Sequence, residues 1–355
     1  CLLCCPMVQA KKGGNNGGGR TTPKYNVIEL APMTRAYAVT EPNASDAVRI
    51  AGEGAEVGMT AAMAAKANAA GVPQVEYLPE PRTPLEEGDP VFDVYGDTFN
   101  RASGALSING EGDIVGGCDY YDPEATLREY SEYRATLWWL NMNDAYERID
   151  LGLADEDHNY SSAHDINAQS VVVGTSALID FCNEGFESFY RAMLWQPETG
   201  MIDLNDLLPV DSDWELAEAN GINAVNQVCG VGYLQGVERA YRFDLDNDEI
   251  VAIPVLPGGA QNRGYRLNTA GHVVGVSETD QLDDEGDPIF HGFLWKGAGA
   301  PIDLGSLTTS SSSANDINGQ GEIVGTSTVP STSLFGEWLA LRWKDGVPPA
   351  VALET

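Results

Sequence analysis

One pattern returns five times along this chain and limits what it can fold into. It reads A-x-x-I-N-x-x-x-x-x-V-G. It occurs as "ALSINGEGDIVG" (Ala105 to Gly116), "AHDINAQSVVVG" (Ala163 to Gly174), "ANGINAVNQVCG" (Ala219 to Gly230), "GYRLNTAGHVVG" (Gly264 to Gly275) and "ANDINGQGEIVG" (Ala314 to Gly325). A second pattern follows each copy: "RATLW", "RAMLW", "RAYRF", "HGFLW" and "LALRW", placing Trp138, Trp195, Phe243, Trp295 and Trp343 at its end. A third follows that, as "RIDLG", "MIDLN", "VAIPV", "PIDLG" and "AVALE". Each unit thus holds four short apolar segments with turn-forming residues between them, the layout of strands rather than helices. Repeats of this length with four strands apiece predict an all-β chain folded as a β-propeller.

A weaker copy precedes these five. "RAYAVTEPNASDAVRIAGEG" (Arg35 to Gly54) reads as the first half of a unit and "AAKANAAGVPQVEYL" (Ala64 to Leu78) as its second half. The alanine-rich "GMTAAMAAKANAA" (Gly58 to Ala70) is the most helix-like piece in composition, but the repeat assigns it to strands. The sequence therefore predicts six four-stranded blades over residues 25–355, the first unit (25–78) being degenerate. "KYNVIEL" (Lys24 to Leu30) is left over. It has the character of an outer strand, suited either to join the last blade or to pair with another chain.

The repeated residues have physical roles. The small Ala or Gly at the head of the first segment allows a close approach to the axis or to the next blade. Ile108, Ile166, Ile222, Leu267 and Ile317 face the core between blades, and the aromatic residues plug it. Asn109, Asn167, Asn223, Asn268 and Asn318, with the residue three later, are expected in a hairpin loop of positive φ. That later residue is Gly or Asn except in the second copy, where it is Ser170. The positions expected to line the axis are mostly small or apolar.

Residues 1–24, "CLLCCPMVQAKKGGNNGGGRTTPK", form a tail that runs apolar, then basic, then glycine-rich. Three readings fit. The stretch ending in "VQA" resembles a signal-peptide cleavage region, a mature Cys1 suits a bacterial lipid anchor, and Cys1, Leu2, Leu3, Cys4 and Cys5 suit an apolar plug that docks on a neighbouring subunit. The first two imply export.

Charge narrows the partners. Twenty Lys and Arg stand against 53 Asp and Glu, a formal charge of −33. Such a surface repels nucleic acid and anionic membranes and is best tolerated where salt screens it. No apolar run is long enough to span a bilayer.

The repeats, taken together, resemble the extracellular HAF-repeat family. Its signature runs H-A-F-L-W, then D-L-G-T-L-G-G, then S-x-A-x-x-I-N-x-x-G-x-V-V-G. "HGFLWKGAGAPIDLGSLTTSSSSANDINGQGEIVGTS" (His291 to Ser327) follows it nearly end to end, and the resemblance extends over about Ala105 to Val351. It implies export and a propeller-like fold, and it brings no catalytic residues with it.

Several residue groups have the composition of a site. "SSAHD" (Ser161 to Asp165) has the residue types of a nucleophile with its base, but His164 falls where other copies carry Leu106, Asn220, Tyr265 and Asn315, so scaffold is the better reading. Asp244, Asp246 and Asp248 alternate as Ca²⁺ ligands can, without a surrounding EF-hand loop, and a solvated turn is the plainer account. The insertion "SETDQLDDEGDPIF" reads as a solvated acidic loop. Cys118 and Cys182 lie at corresponding places in successive units, which makes a disulfide between them a matter of geometry, whereas Cys229 stands for a core Val. The excursions Cys118 to Tyr133 and Ser176 to Tyr190 are rich in aromatic residues suited to contact surfaces, and Leu78 to Asn100 is a further acidic one.

These observations predict a secreted or surface-anchored, non-catalytic propeller without a cofactor, Ca²⁺ at the Asp244 turn excepted. It would act as a self-assembling unit that polymerises through its tail and edge strands. A lipid-anchored module binding glycan or cell-wall ligands is the alternative, and a propeller hydrolase comes third.

Overall fold

The computed structural model describes residues 2–5, 26–29, 33–39, 49–56, 59–67, 73–79, 103–120, 132–180, 187–308, 310–329, 337–344 and 347–352. The chain is all-β and β-propeller-like. Its described strands form consecutive antiparallel sheets of four, each drawn from one contiguous stretch: residues 33–77, 103–152, 160–203, 214–252, 262–303 and 312–352, called here sheets one to six. Sheets two and three are also joined by a single parallel bridge between Tyr133 and Tyr160, whose rings stack with centroids 5.5 Å apart. Among the described residues the only helical turn is a 3₁₀ segment, Leu204–Leu207, and no helix is long and apolar enough to cross a membrane. Leu2–Cys5 pairs with Asn26–Glu29 in a two-stranded sheet of its own, so the leftover segment joins the tail rather than sheet six.

The first strands of successive sheets lie side by side: Met33–Val39, Ser103–Ile108, Tyr160–Ile166, Trp214–Ile222, Asn262–Leu267 and Ser312–Ile317. Each carries a bulge one residue after its small Ala or Gly, where the register slips at Ala36/Ala38, Ala105/Ser107, Ala163/Asp165, Ala219/Gly221, Gly264/Arg266 and Ala314/Asp316. The glycine of the V-G pair answers this bulge. A Cβ on Gly116, Gly174, Gly230, Gly275 or Gly325 would sit 1.8–2.0 Å from a carbonyl oxygen of the facing first strand. Only glycine allows that approach.

The asparagines bind the sheets to one another. In each turn the Asn Oδ1 accepts two backbone N–H groups, as Asn223 does from Val225 at 3.1 Å and Gln227 at 2.9 Å. Its Nδ2 then donates to the backbone carbonyl of the corresponding Asn one sheet further on. The relay runs from Asn109 to Asn167 (3.2 Å), Asn167 to Asn223 (3.3 Å), Asn223 to Asn268 (3.1 Å) and Asn268 to Asn318 (3.3 Å). The asparagines are therefore not the positive-φ residues. Those are Gly112, Ser170, Asn226, Gly271 and Gly321, at φ 92°, 59°, 54°, 74° and 77°, so Ser170 takes the left-handed conformation despite its side chain.

A second stitch uses the residue two before the small Ala or Gly. The hydroxyls of Ser103, Ser161 and Ser312, and Oδ1 of Asn262, accept the N–H of Ala62, Ala135, Gly292 and Ala240 in the preceding sheet at 2.8–3.0 Å. Those donors are the small residues of the second repeat motif, and a Cβ on Gly292 would lie 2.9 Å from the nitrogen of Ala314. Sheet four has Ala217 at this place and uses Asn205 instead, which bonds both the N–H and the C=O of Leu216.

Between sheets the cores are apolar. Phe243 packs with Val173 and Leu194 of the sheet before it, Trp295 with Cys229 and Ile253, and Trp343 with Val274 and Leu294. Trp138 fills the same place against Ala62, Ala64 and Leu78, and its Nε1 donates to the Pro79 carbonyl at 2.7 Å. Trp195 is the exception, packing only partly buried against its cluster.

Two outcomes follow for stability. Ser170→Gly removes a left-handed non-glycine residue, worth about 1–2 kcal/mol, against about 0.5–1 kcal/mol for the freer unfolded chain. The urea midpoint should rise by the equivalent of about 0.5–1 kcal/mol. Asn223→Ala strands two turn N–H groups and one relay acceptor and should cost about 2–4 kcal/mol. Asn223→Asp, which keeps the acceptor, should cost less, and a reversed order in urea titrations would contradict the relay.

Candidate functional site

In sheets two, three, five and six the residue after the bulge turns a polar side chain towards the axis, Ser107, Asp165, Arg266 and Asp316, while sheet four has Gly221 at this place. Their contacts cross between sheets. Ser107 Oγ donates to Asp165 Oδ1 at 2.6 Å, and the other Asp165 oxygen accepts the N–H of Ile222 at 2.9 Å. Arg266 reaches back two sheets to the His164 carbonyl at 3.3 Å and also bonds the Asn220 carbonyl. Asp316 lies within electrostatic reach of both Arg266 and Asp165, the latter three sheets away. Groups so far apart in the chain meet only where the first strands converge.

This overturns the expectation of a small, apolar axis. Ala105, Ala163, Ala219, Gly264 and Ala314 are packed against neighbouring sheets, and two places later Ser107, Asp165, Arg266 and Asp316 face inward, with Gly221 in sheet four. His164 is the bulge residue of its sheet. Its Nδ1 lies 3.0 Å from Asn220 Oδ1, while Asn220 Nδ2 donates to the Gly264 carbonyl at 3.1 Å. That pattern assigns the Nδ1–H tautomer, and burial holds the His164 pKa below its ordinary value. Lack of hydration raises the Asp316 pKa, Arg266 and the Ile317 N–H oppose the rise, and Asp165 adds to it. The Asp316 carboxyl is walled by protein on most sides yet keeps solvent-accessible surface, so its loss of hydration is partial.

At the turn end of the axis a cavity of about 320 Å³ is lined by Ile166, Ile222, Leu267 and Ile317 and rimmed by the Asn turns. The amides of Asn109, Asn167, Asn223 and Asn268 donate along the relay and that of Asn318 to Glu322, which leaves the cavity an apolar wall and a backbone rim.

On the outer strands the repeat motifs pair charges. Arg134 meets Asp150 at 3.3 Å, Arg191 meets Asp203 at 3.8 Å and His291 Nδ1 meets Asp303 at 3.0 Å. The first residue of the R/H-A/G-x-L-W motif is thus the partner of the Asp in the I-D-L motif. Ser176 likewise occupies a repeated place: with Ser277 and Ser327 it accepts an amide of the incoming linker, at 3.1, 2.9 and 3.4 Å. Cys118 stands at that place in sheet two and is buried against Trp138 and Ile114. Cys182 lies outside the described residues. Cys229 is buried in the core between sheets four and five, and burial pushes its thiol pKa up.

Asp244, Asp246 and Asp248 end one strand and turn into the next, as the plainer reading expects. Asp244 accepts from Asn247 and Gln227, and Asp246 from Asn226. The three carboxylates do not converge. Among the described residues the one acidic group that does is Asp283, Glu285 and Asp287, fully exposed in the turn of the sheet-five insertion, where Asp283 Oδ1 accepts the N–H of Glu285 and of Asp287. The side chains of Cys1, Leu2, Leu3, Cys4 and Cys5 are outside the description.

A family profile described as "Protein of unknown function (DUF3466)" matches residues 121–307, more than half of the chain and most of sheets two to five. The chain belongs to that family. No curated protein matches the sequence. Solved structures that resemble it include an acylaminoacyl peptidase of Pyrococcus horikoshii (11% identity, 91% of this chain and 52% of that one, TM-score 0.42). Another is the β-propeller domain of the Trilobed protease of Pyrococcus furiosus (11% identity, 88% and 94%, TM-score 0.38). A third is a puromycin hydrolase (10% identity, 90% and 44%, TM-score 0.44). The chain spans about half the length of the acylaminoacyl peptidase. Likenesses this distant bear on no activity.

The axial carboxyl generates a pH prediction. Because Asp316 titrates higher in the folded than in the unfolded chain, the folded state binds the extra proton and stability falls as pH rises from 3.8 through the raised value. Asp316→Asn should therefore flatten thermal stability over that window and be at least as stable as the parent at pH 7. A variant that is less stable at pH 7, with the slope unchanged, would show that the Arg266 attraction outweighs the lost hydration.

Proposed function

We propose that this protein is a non-catalytic, extracellular interaction protein: a six-bladed propeller that self-associates through its N-terminal segment. The observation that carries the reading is the separate sheet of Leu2–Cys5 with Asn26–Glu29. A two-stranded ribbon is marginal alone in water, and among the described residues no further strand pairs with either of its outer edges. The apolar sequence "CLLCC" suits burial against a second copy. Strand addition of this kind draws affinity from main-chain hydrogen bonds and needs no cofactor.

The polar groups of the repeat support a non-catalytic role. Asparagines, serines and the outer Arg, His and Asp residues are engaged in holding strands and sheets together, and Ser176, the hydroxyl nearest a histidine, is fully buried at 2.8 Å from His158 Nδ1. A buried hydroxyl cannot reach a substrate carbonyl. Anchorage of the same tail by a lipid on Cys1 is the competing use of those residues.

Negative-stain imaging of the full chain beside a version starting at Tyr25 separates the two. Rows or polymers in the first sample and single particles in the second are expected. Single particles in both, with acyl mass on the N-terminal peptide, would replace assembly by anchorage.

A further inference from the structure

A second cavity, of about 220 Å³, opens at the outer corner of sheet three, away from the axis. It is built from two parts. Leu178 and Phe189 sit directly opposite one another in an antiparallel pair, so their side chains share one face, and Arg191 follows Phe189 on that face. The linker between sheets two and three crosses above, bringing Asp155, Asp157 and His158, and Asp203 closes the side.

The chemistry of this lining is mixed in a specific way. Phe189 leaves 54% of its surface exposed, although it lies within a regular strand. Around it stand three carboxylates, one guanidinium and one imidazole. His158 is held at its Nδ1 by Ser176 Oγ, and burial lowers its pKa, which keeps the ring neutral at pH 7. Arg191 is anchored by Glu215 at 2.5 Å and lies 3.8 Å from Asp203. The Asp155 Oδ1 accepts the N–H of Asp157 at 3.0 Å, which orients the linker. The Arg191–Asp203 pair and Ser176 belong to the repeat, but the other described linkers carry no histidine, so the meeting of His158, Asp155 and Asp157 with Phe189 is particular to sheet three.

We propose that this corner binds a neutral sugar unit of an extracellular polysaccharide. A pyranose presents an apolar C–H face and a rim of hydroxyls, and here an exposed aromatic ring stands beside carboxylate acceptors and a guanidinium donor. Three carboxylates disfavour an anionic ligand, and they do not converge as metal ligands do, while the exposed Phe189 ring and Leu178 offer an apolar face that a small cation does not need. The volume lies below the ~300 Å³ at which pockets for drug-sized ligands begin, and one sugar ring fits it. The site does not depend on self-association through the tail.

The test is isothermal titration of the full chain with cellohexaose, chitohexaose, laminarihexaose and mannohexaose, beside an alginate hexamer and tetralysine. Binding of at least one neutral hexasaccharide is expected, weakened about tenfold or more by Phe189→Ala and by Asp157→Asn, each removing one aromatic or charged contact. Val210→Ala, at a fully exposed position elsewhere, should leave it unchanged. Both test positions are exposed, and an unchanged thermal midpoint shows that the fold survives. Binding of none of the four neutral sugars, binding only of alginate or tetralysine, or binding indifferent to Phe189→Ala would each overturn the proposal. A failure to polymerise would not touch it.

Discussion

Everything in this fold depends on how closely one first strand can approach the next sheet. The approach is set by backbone atoms. A carbonyl oxygen occupies the space where the V-G glycine would carry a Cβ, and the small residue of the second motif offers its N–H to a serine or asparagine one sheet away. Once the sheets are that close, the Asn side chains reach the neighbouring turn, and each turn carries its own acceptor and a donor for the next. Apolar burial supplies most of the stabilisation between sheets, but it is non-directional. The hydrogen-bonded stitches decide the angle and spacing at which burial happens.

That geometry has an electrostatic consequence. Bulges in four of the first strands turn a polar side chain inward, and Asp165, Arg266 and Asp316 meet from sheets distant in the chain. In a protein of charge −33, a guanidinium where the first strands converge is held by carbonyls and flanked by carboxyls that would otherwise repel one another. Among the described residues, acidic side chains such as Asp155, Glu156, Asp157, Asp283, Glu285 and Asp287 are exposed in turns and linkers, where water screens them. Sheet three's outer corner departs from this plan, with an aromatic ring exposed among acidic groups in a place the repeat does not require.

Much of the fold was legible because repeats expose their own constraints. Asn109 through Asn318 and the V-G glycines recur at fixed spacing, so four-stranded units could be counted without coordinates. What the repeat could not reveal was the direction of individual side chains. A strict two-residue alternation sends Ala105 and Ser107 to the same face, but a bulge between them breaks the period, and the axis was expected to be small and apolar when it is charged. Ser170 looked like an exception to a turn rule and adopts the turn all the same. The pairing of Arg191 with Asp203 and of His291 with Asp303 was hidden in plain motifs, since only the strand register brings the first residue of one against the third of another.

The sequence by itself determined the kind of repeating unit, the all-β class, most of the aromatic plugs and the turn positions. Each of these rests on local spacing and on which residue types tolerate a given backbone. The tertiary structure decided which polar groups face one another across sheets: the axial Asp165, Arg266 and Asp316, the asparagine relay, and the corner where His158 meets Phe189. Such meetings join residues tens of positions apart, and their distances are set by the bulge and by sheet packing. No pattern along one strand records them.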